Sequence, residues 1–147
     1  MNSSFRALTS YEHSILERLL SAAFPGRDQL RNQLKVATAK STNVDGVLFL
    51  QCDPILSANV KSRIPTEGQC ADVDGIMIHM LLHVVDGTMK ELETYKDDGS
   101  KVRNLPIASD LVLFTPYGDE GVKWREGEPE ADGDSSQSGA YSSDPAS

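Results

Sequence analysis

The sequence predicts an α+β fold in which two N-terminal helices pack on a four- to six-stranded antiparallel meander sheet. Three observations carry that prediction. Apolar residues recur at three- and four-residue steps in the first 40 positions, apolar and polar residues alternate beyond residue 44, and four Asp-Gly pairs punctuate residues 45–99.

The first helix is expected to start at Thr9-Ser10-Tyr11-Glu12. The Thr hydroxyl and the Glu carboxylate stand three residues apart, the spacing at which each satisfies a backbone N–H of the opening turn. Ile15, Leu16, Leu19, Leu20 and Ala23 form its buried stripe, and Phe24-Pro25-Gly26 ends it. A second helix carries Leu30, Leu34 and Ala37 inward and Arg27, Arg31 and Lys35 outward, fading by Lys40. Arg27 and Asp28 are placed to form an ion pair at the junction, a structural role, and His13 is expected on the surface of the first helix.

The Asp-Gly pairs at 45–46, 74–75, 86–87 and 98–99 read as hairpin turns, the last three at a spacing of 12 residues. Strands are expected over 47–51, 58–64, 67–72, 76–84 and 88–96, with 111–114 as a short addition. The run Ile76 to Val85 also carries helix-favouring Met and Leu, which would put His79 and His83 on one helical face, but Asp-Gly at both ends and the absence of caps favour a strand. Within a strand the two histidines stand about 13 Å apart and cannot share one metal ion.

Hairpin register decides which side chains meet. A two-residue turn at Asp86-Gly87 would set Glu91 and Glu93 opposite Leu82 and Met80, which is costly. A three-residue turn, Val85 to Gly87, pairs His79 with Glu93, Leu81 with Glu91 and Met77 with Tyr95, and leaves Ile78, Met80, Leu82 and Val84 on one face with Leu92. The same turn at Val73 to Gly75 pairs Gln69 with His79 and Glu67 with Leu81, and sets Cys70 beside Ile78. The opposite face then gathers Glu67, Gln69, His79, His83, Glu91, Glu93 and Tyr95. Such a cluster can be a solvated sheet face, a binding surface, or a catalytic group in which His79 works with Glu93 and Glu67.

Composition bounds these readings. The chain of 147 residues is expected to hold a single domain over 1–118, extending to about 125 if Trp124 packs on it, followed by a disordered acidic Gly/Ser-rich tail over 126–147. The net charge of −8 resides mostly at the C-terminal end. Residues 119–147 carry eight acids against Lys123 and Arg125, a balance of −6, so the remainder carries −2. No clustered basic surface for nucleic acid is expected, nor a membrane span or an export signal, and the cytoplasm is the expected location. Cys52 and Cys70 form no C-x-x-C pair and are expected as reduced structural thiols. There is no G-x-S-x-G elbow, phosphate-cradling Gly-rich loop or H-E-x-x-H helix, and no metal or cofactor is expected.

Phe24-Pro25-Gly26-Arg27, the stretch Asp74-Gly75 through Leu82-His83-Val84-Val85-Asp86-Gly87, Glu91-Leu92-Glu93 with Tyr95-Lys96-Asp97-Asp98-Gly99, and Leu105-Pro106 together resemble a small bacterial, mainly actinobacterial, domain of unknown function. The likeness covers about residues 8–114. It implies a compact domain in a bacterial setting and supplies no catalytic residue. The leading expectation is a non-enzymatic interaction module for a protein partner, of the kind in which a small immunity-type protein neutralises a toxin. Its motive is the acidic strip of Glu67, Glu91 and Glu93 with Asp97 and Asp98 nearby. The alternatives are a small-molecule- or metal-dependent enzyme built on His79, Glu93 and Glu67, and an accessory domain without a ligand.

Overall fold

The computed structural model describes residues 5–117; the expected tail and Trp124 lie outside them. A short strand β1 (Arg6–Ala7) precedes helix α1 (Ser10–Leu19), so the helices do not open the fold as expected. The capping box forms: Thr9 Oγ1 accepts from the Glu12 N–H at 3.1 Å, and Glu12 Oε1 accepts from the Thr9 N–H at 2.9 Å. Ile15, Leu16 and Leu19 of α1 are completely buried, each contributing roughly 1.5–3 kcal/mol of apolar burial. The helix ends at Leu19, short of Ala23. Arg27 Nη1 donates to the carbonyls of Leu20, Ser21 and Ala22 at 3.1–3.2 Å, occupying acceptors that a helix end leaves without partners. The expected Arg27–Asp28 pair is present at 2.8 Å.

Helix α2 (Arg27–Leu34) stops well before Lys40. The chain instead extends into a strand β2 (Thr38–Ser41) that the apolar stripe had concealed, paired antiparallel with β3 (Val47–Gln51). The sheet continues through β4 (Thr66–Ala71), β5 (Met77–Val85), β6 (Thr88–Lys96) and β7 (Val112–Phe114). Seven strands, all antiparallel, lie in the order β1-β2-β3-β6-β5-β4-β7, more than the four to six expected. Only β4-β5-β6 is a meander. The chain crosses from β3 past two positions to β4, and β7 returns to pair with β4 from the other side.

Residues 58–64, expected as a strand, form none. The segment contributes two isolated backbone bonds, Ala58 N–H to Gly87 O at 2.8 Å and Val84 N–H to Arg63 O at 2.7 Å, and Pro65 cannot donate to a ladder. The sheet face toward the helices carries Ile78, Met80, Leu82, Val84 and Leu92, as the alternation implied, and all five are buried.

The β4–β5 register is the expected one, with Gln69 opposite His79, Glu67 opposite Leu81 and Cys70 opposite Ile78. At the β5–β6 hairpin the turn differs. Asp86 and Gly87 have φ values of 53° and 78°, the two positive φ values of a two-residue turn closed by Val85 and Thr88. A bulge then leaves Lys90 without a partner between Met89, opposite Val84, and Glu91, opposite His83. The extra residue restores the facing that a two-residue turn alone would have lost, but slides the partners by two. His79 faces Tyr95 rather than Glu93, Leu81 faces Glu93 rather than Glu91, and Met77 lies beyond Tyr95.

Candidate functional site

Strand alternation and the bulge bring the seven predicted surface residues to the sheet face away from the helices. His79 is the centre of one group. Its Nδ1 lies 2.6 Å from Glu67 Oε2 and its Nε2 lies 2.5 Å from Asp97 Oδ1. Tyr95 stacks on the ring, centroids 4.8 Å apart and planes inclined by 11°. Gln69 Nε2 donates to Glu67 Oε2 at 3.2 Å. His79 and Glu67 are buried, whereas the Asp97 carboxylate is largely exposed. The ring thus bridges two carboxylates, one at each nitrogen, and ties β4 to the residue that follows β6.

His83 centres a second group. Arg63 Nε donates to His83 Nδ1 at 3.0 Å, and His83 Nε2 lies 2.8 Å from Glu93 Oε1. Glu91 stands directly across from His83. The structure therefore joins His79 to Glu67 as the sequence suggested, but gives Glu93 to His83.

The face is less polar than the sequence implied. Cross-strand pairs place Phe49 beside Glu91, Val47 beside Glu93, Phe114 beside Glu67 and Val112 beside Gln69. Phe49, Tyr95 and Val112 are 41%, 39% and 60% exposed. Phe49 belongs to the site although it did not stand among the predicted surface residues, and Asp97, expected only near the acidic strip, is a direct partner of His79. Continuing the alternation from Glu93 and Tyr95 by one step reaches Asp97.

A third cluster was missed. Lys96 occupies a position that alternation turns inward, and its ammonium is fully buried. It pairs with Asp72 at 2.9 Å and Asp74 at 2.6 Å. Asp72 also accepts from the backbone N–H groups of Val73, Arg103 and Asn104. Burial pushes the Asp72 carboxyl up, but the Arg103 N–H, the Lys96 ammonium and the other two N–H groups outweigh it and hold the carboxyl well below its usual range. Burial likewise lowers the Lys96 ammonium, while Asp74 and Asp72 raise it further, leaving it above its ordinary value. This charged cluster anchors the loop after β6 to the β4–β5 turn. It borders an open cavity of about 820 Å³ on the helix side, whose floor includes Leu48, Met80, Leu92 and Val102.

Cys52 and Cys70 are free thiols, and burial raises Cys52 to about 11. Among the described residues, no helix is long and apolar enough to cross a membrane.

Residues 5–106 match the family described as domain of unknown function DUF6984. The chain belongs to that family. The match spans the helices and strands β1 to β6, including both histidine groups, and stops before β7. No curated protein and no solved structure matches the chain.

Proposed function

We propose that this DUF6984 domain is a non-enzymatic interaction module that engages a protein partner through the outer face of its sheet. The observation that carries the reading is the combination on that face of exposed apolar side chains, Phe49, Tyr95 and Val112, with the carboxylates of Glu91, Glu93 and Asp97. Aromatic and aliphatic anchors supply contact area, and the acidic groups select a partner with a complementary basic patch. Neutralisation of a toxin, in the manner of an immunity-type protein, is the specific form of this role that the acidic face suits.

The state of His79 supports recognition over catalysis. Both ring nitrogens are occupied by carboxylates and one ring face is covered by Tyr95, so the ring serves as a cross-brace for β4, β5 and the end of β6. A general base needs a free nitrogen within hydrogen-bond reach of a substrate proton. Glu93, the other residue expected in a catalytic group, is held by His83.

Affinity capture from lysate of the source cell tests the proposal when the wild-type chain is compared with a Phe49→Asp, Glu91→Lys, Glu93→Lys variant. A partner retained by the wild type, weakened by added salt and lost by the variant is the expected result. Recovery of the same proteins by both chains, or of none at either salt, overturns it.

A further inference from the structure

The geometry points to a divalent-metal site on the outer face formed by His83, Glu91 and Glu93, with Arg63 as a built-in competitor for the histidine. One ligand atom from each of the three residues can be chosen so that all lie within 4.8 Å of one another, and all three residues are partly buried. His83 Nε2 and Glu93 Oε1 are 2.8 Å apart. Adjacent ligands about a first-row divalent ion, at bond lengths of about 2.0–2.2 Å, are separated by about 3 Å. That pair already has the spacing of one edge of a coordination polyhedron. Rotation of the Glu91 carboxylate, on the strand residue directly opposite His83, completes a facial set of one nitrogen and two oxygens. Such a set suits zinc, manganese or ferrous iron and leaves positions for water or a partner's side chain.

Arg63 determines the tautomer. An arginine has no lone pair to offer, so its Nε–H donates to His83 Nδ1, and the ring proton of the neutral histidine sits on Nε2, directed at Glu93. A metal bound at Nε2 requires that proton to sit on Nδ1 instead. Two donors would then face each other, and the guanidinium would add repulsion toward the ion. Binding therefore displaces the Arg63 side chain, which is exposed and attached to a segment held by the backbone bond from Val84 to Arg63 O. The site lies about 13 Å along β5 from the His79 bridge, outside its reach. This inference does not rest on the interaction reading, since metal uptake is measured without a partner.

The test uses the full chain stripped with a chelator and titrated with zinc by calorimetry and with cobalt by visible absorption. We expect uptake of one ion, weakened at least tenfold by His83→Ala and by Glu93→Gln. Arg63→Ala is expected to bind at least threefold more tightly. Arg63→Glu, which can accept from Nδ1–H as outer carboxylates do in metal sites, should bind more tightly still. Circular dichroism checks that each variant remains folded. Several results overturn the assignment: no uptake by the wild type at millimolar metal, full affinity in His83→Ala, a thiolate charge-transfer band from cysteine ligation, or unchanged or weaker binding in Arg63→Ala. The increase for Arg63→Ala is decisive, because removal of a residue with a purely structural role does not tighten metal binding.

Discussion

Gln33 offers the sharpest test of how the helices are joined to the sheet. Its side chain is fully buried, Nε2 donates to Gly87 O at 2.7 Å and Leu56 O at 3.0 Å, and Oε1 accepts from the Met89 N–H at 3.0 Å. One amide thus ties α2 to the β5–β6 turn, the start of β6 and the turn at Pro54–Leu56. Gln33→Leu keeps the volume and removes all three bonds. The Met89 N–H is then left buried without the acceptor it had, at about 1–3 kcal/mol, and the two lost carbonyl bonds add about 0.5–1.5 kcal/mol each. Gly87 O retains the Ala58 N–H, which moderates its share. The expected loss is about 2–5 kcal/mol, a large part of the roughly 5–15 kcal/mol available to a domain of this size.

Gln33→Glu separates hydrogen bonding from packing. It keeps the acceptor for Met89 but turns an oxygen toward two carbonyls, so burial and those carbonyls raise the folded-state pKa of the new carboxyl above its ordinary value near 4.3. The native state then holds a proton that the unfolded state has released, and stability falls as pH rises. Urea denaturation at pH 5 and pH 7 should show Gln33→Glu weaker than wild type at both and further weakened at pH 7, with Gln33→Leu offset from wild type equally at both. A Gln33→Leu protein within about 0.5 kcal/mol of wild type, or a Gln33→Glu deficit independent of pH, would refute the reasoning.

Asp72 and Asp74 both have lowered folded-state pKa values, so their contribution is present above the unfolded value of 3.8 and is lost as pH falls through the folded values; replacing Lys96 with Met should shrink that acid-side loss in a pH-dependent denaturation series. Lys96 has the opposite sign. Its contribution is complete below 10.5 and disappears as pH rises through its raised folded value, a second transition that the same substitution removes. Gly87→Ala should cost about 1–3 kcal/mol in chemical denaturation, because φ there is 78° and a Cβ would strike the Ala58 backbone; an unchanged midpoint would contradict the turn geometry. With its pKa near 11, Cys52 is about one part in a thousand thiolate at pH 8, so in a Cys70→Ser protein it should react with a disulfide reagent far more slowly than a small free thiol; a comparable rate would contradict its half-buried setting.

The parts of this fold that local chemistry dictates were legible in the residues. Thr9 and Glu12 specified the start of α1, and the Asp-Gly pairs at 45–46, 74–75 and 86–87 located three hairpins; Asp98-Gly99, expected as a fourth, closes a turn after β6 but joins no paired strands, because the chain leaves the sheet there and returns as β7 beside β4. Alternation along 76–96 separated the buried Ile78, Met80, Leu82 and Val84 from the face that holds His79. What escaped depended on pairing across long sequence separations. Thr38–Ser41 has no apolar alternation to announce a strand, and β1 has only two residues, so both exist because β3 provides a ladder for β2 and β2 for β1. The bulge at Lys90 carries no glycine signature, and missing it slid the predicted partners of His79 and Glu93 by two positions while leaving their face correct.

The charged interior follows the same logic. Lys96 does end a strand, as expected, but its polar sequence neighbours gave no sign that it is buried. Its burial becomes sensible only when Asp72 and Asp74, from the preceding turn, are brought to its ammonium. The outer face was read as more polar than it is because four of its apolar members, Val47, Phe49, Val112 and Phe114, come from β3 and β7, whose placement in the sheet does not follow from hairpin rules.

The claim that the outer face docks a protein is tested most directly by site-specific photocrosslinking inside the source cell. A photoreactive phenylalanine analogue replaces Phe49 or Val112 on that face, and Ile55, which is 87% exposed beside α2, as the control. The account predicts one discrete adduct of the same partner from positions 49 and 112 and none from position 55. Adducts from position 55 alone, or the same adducts from all three positions, would contradict it.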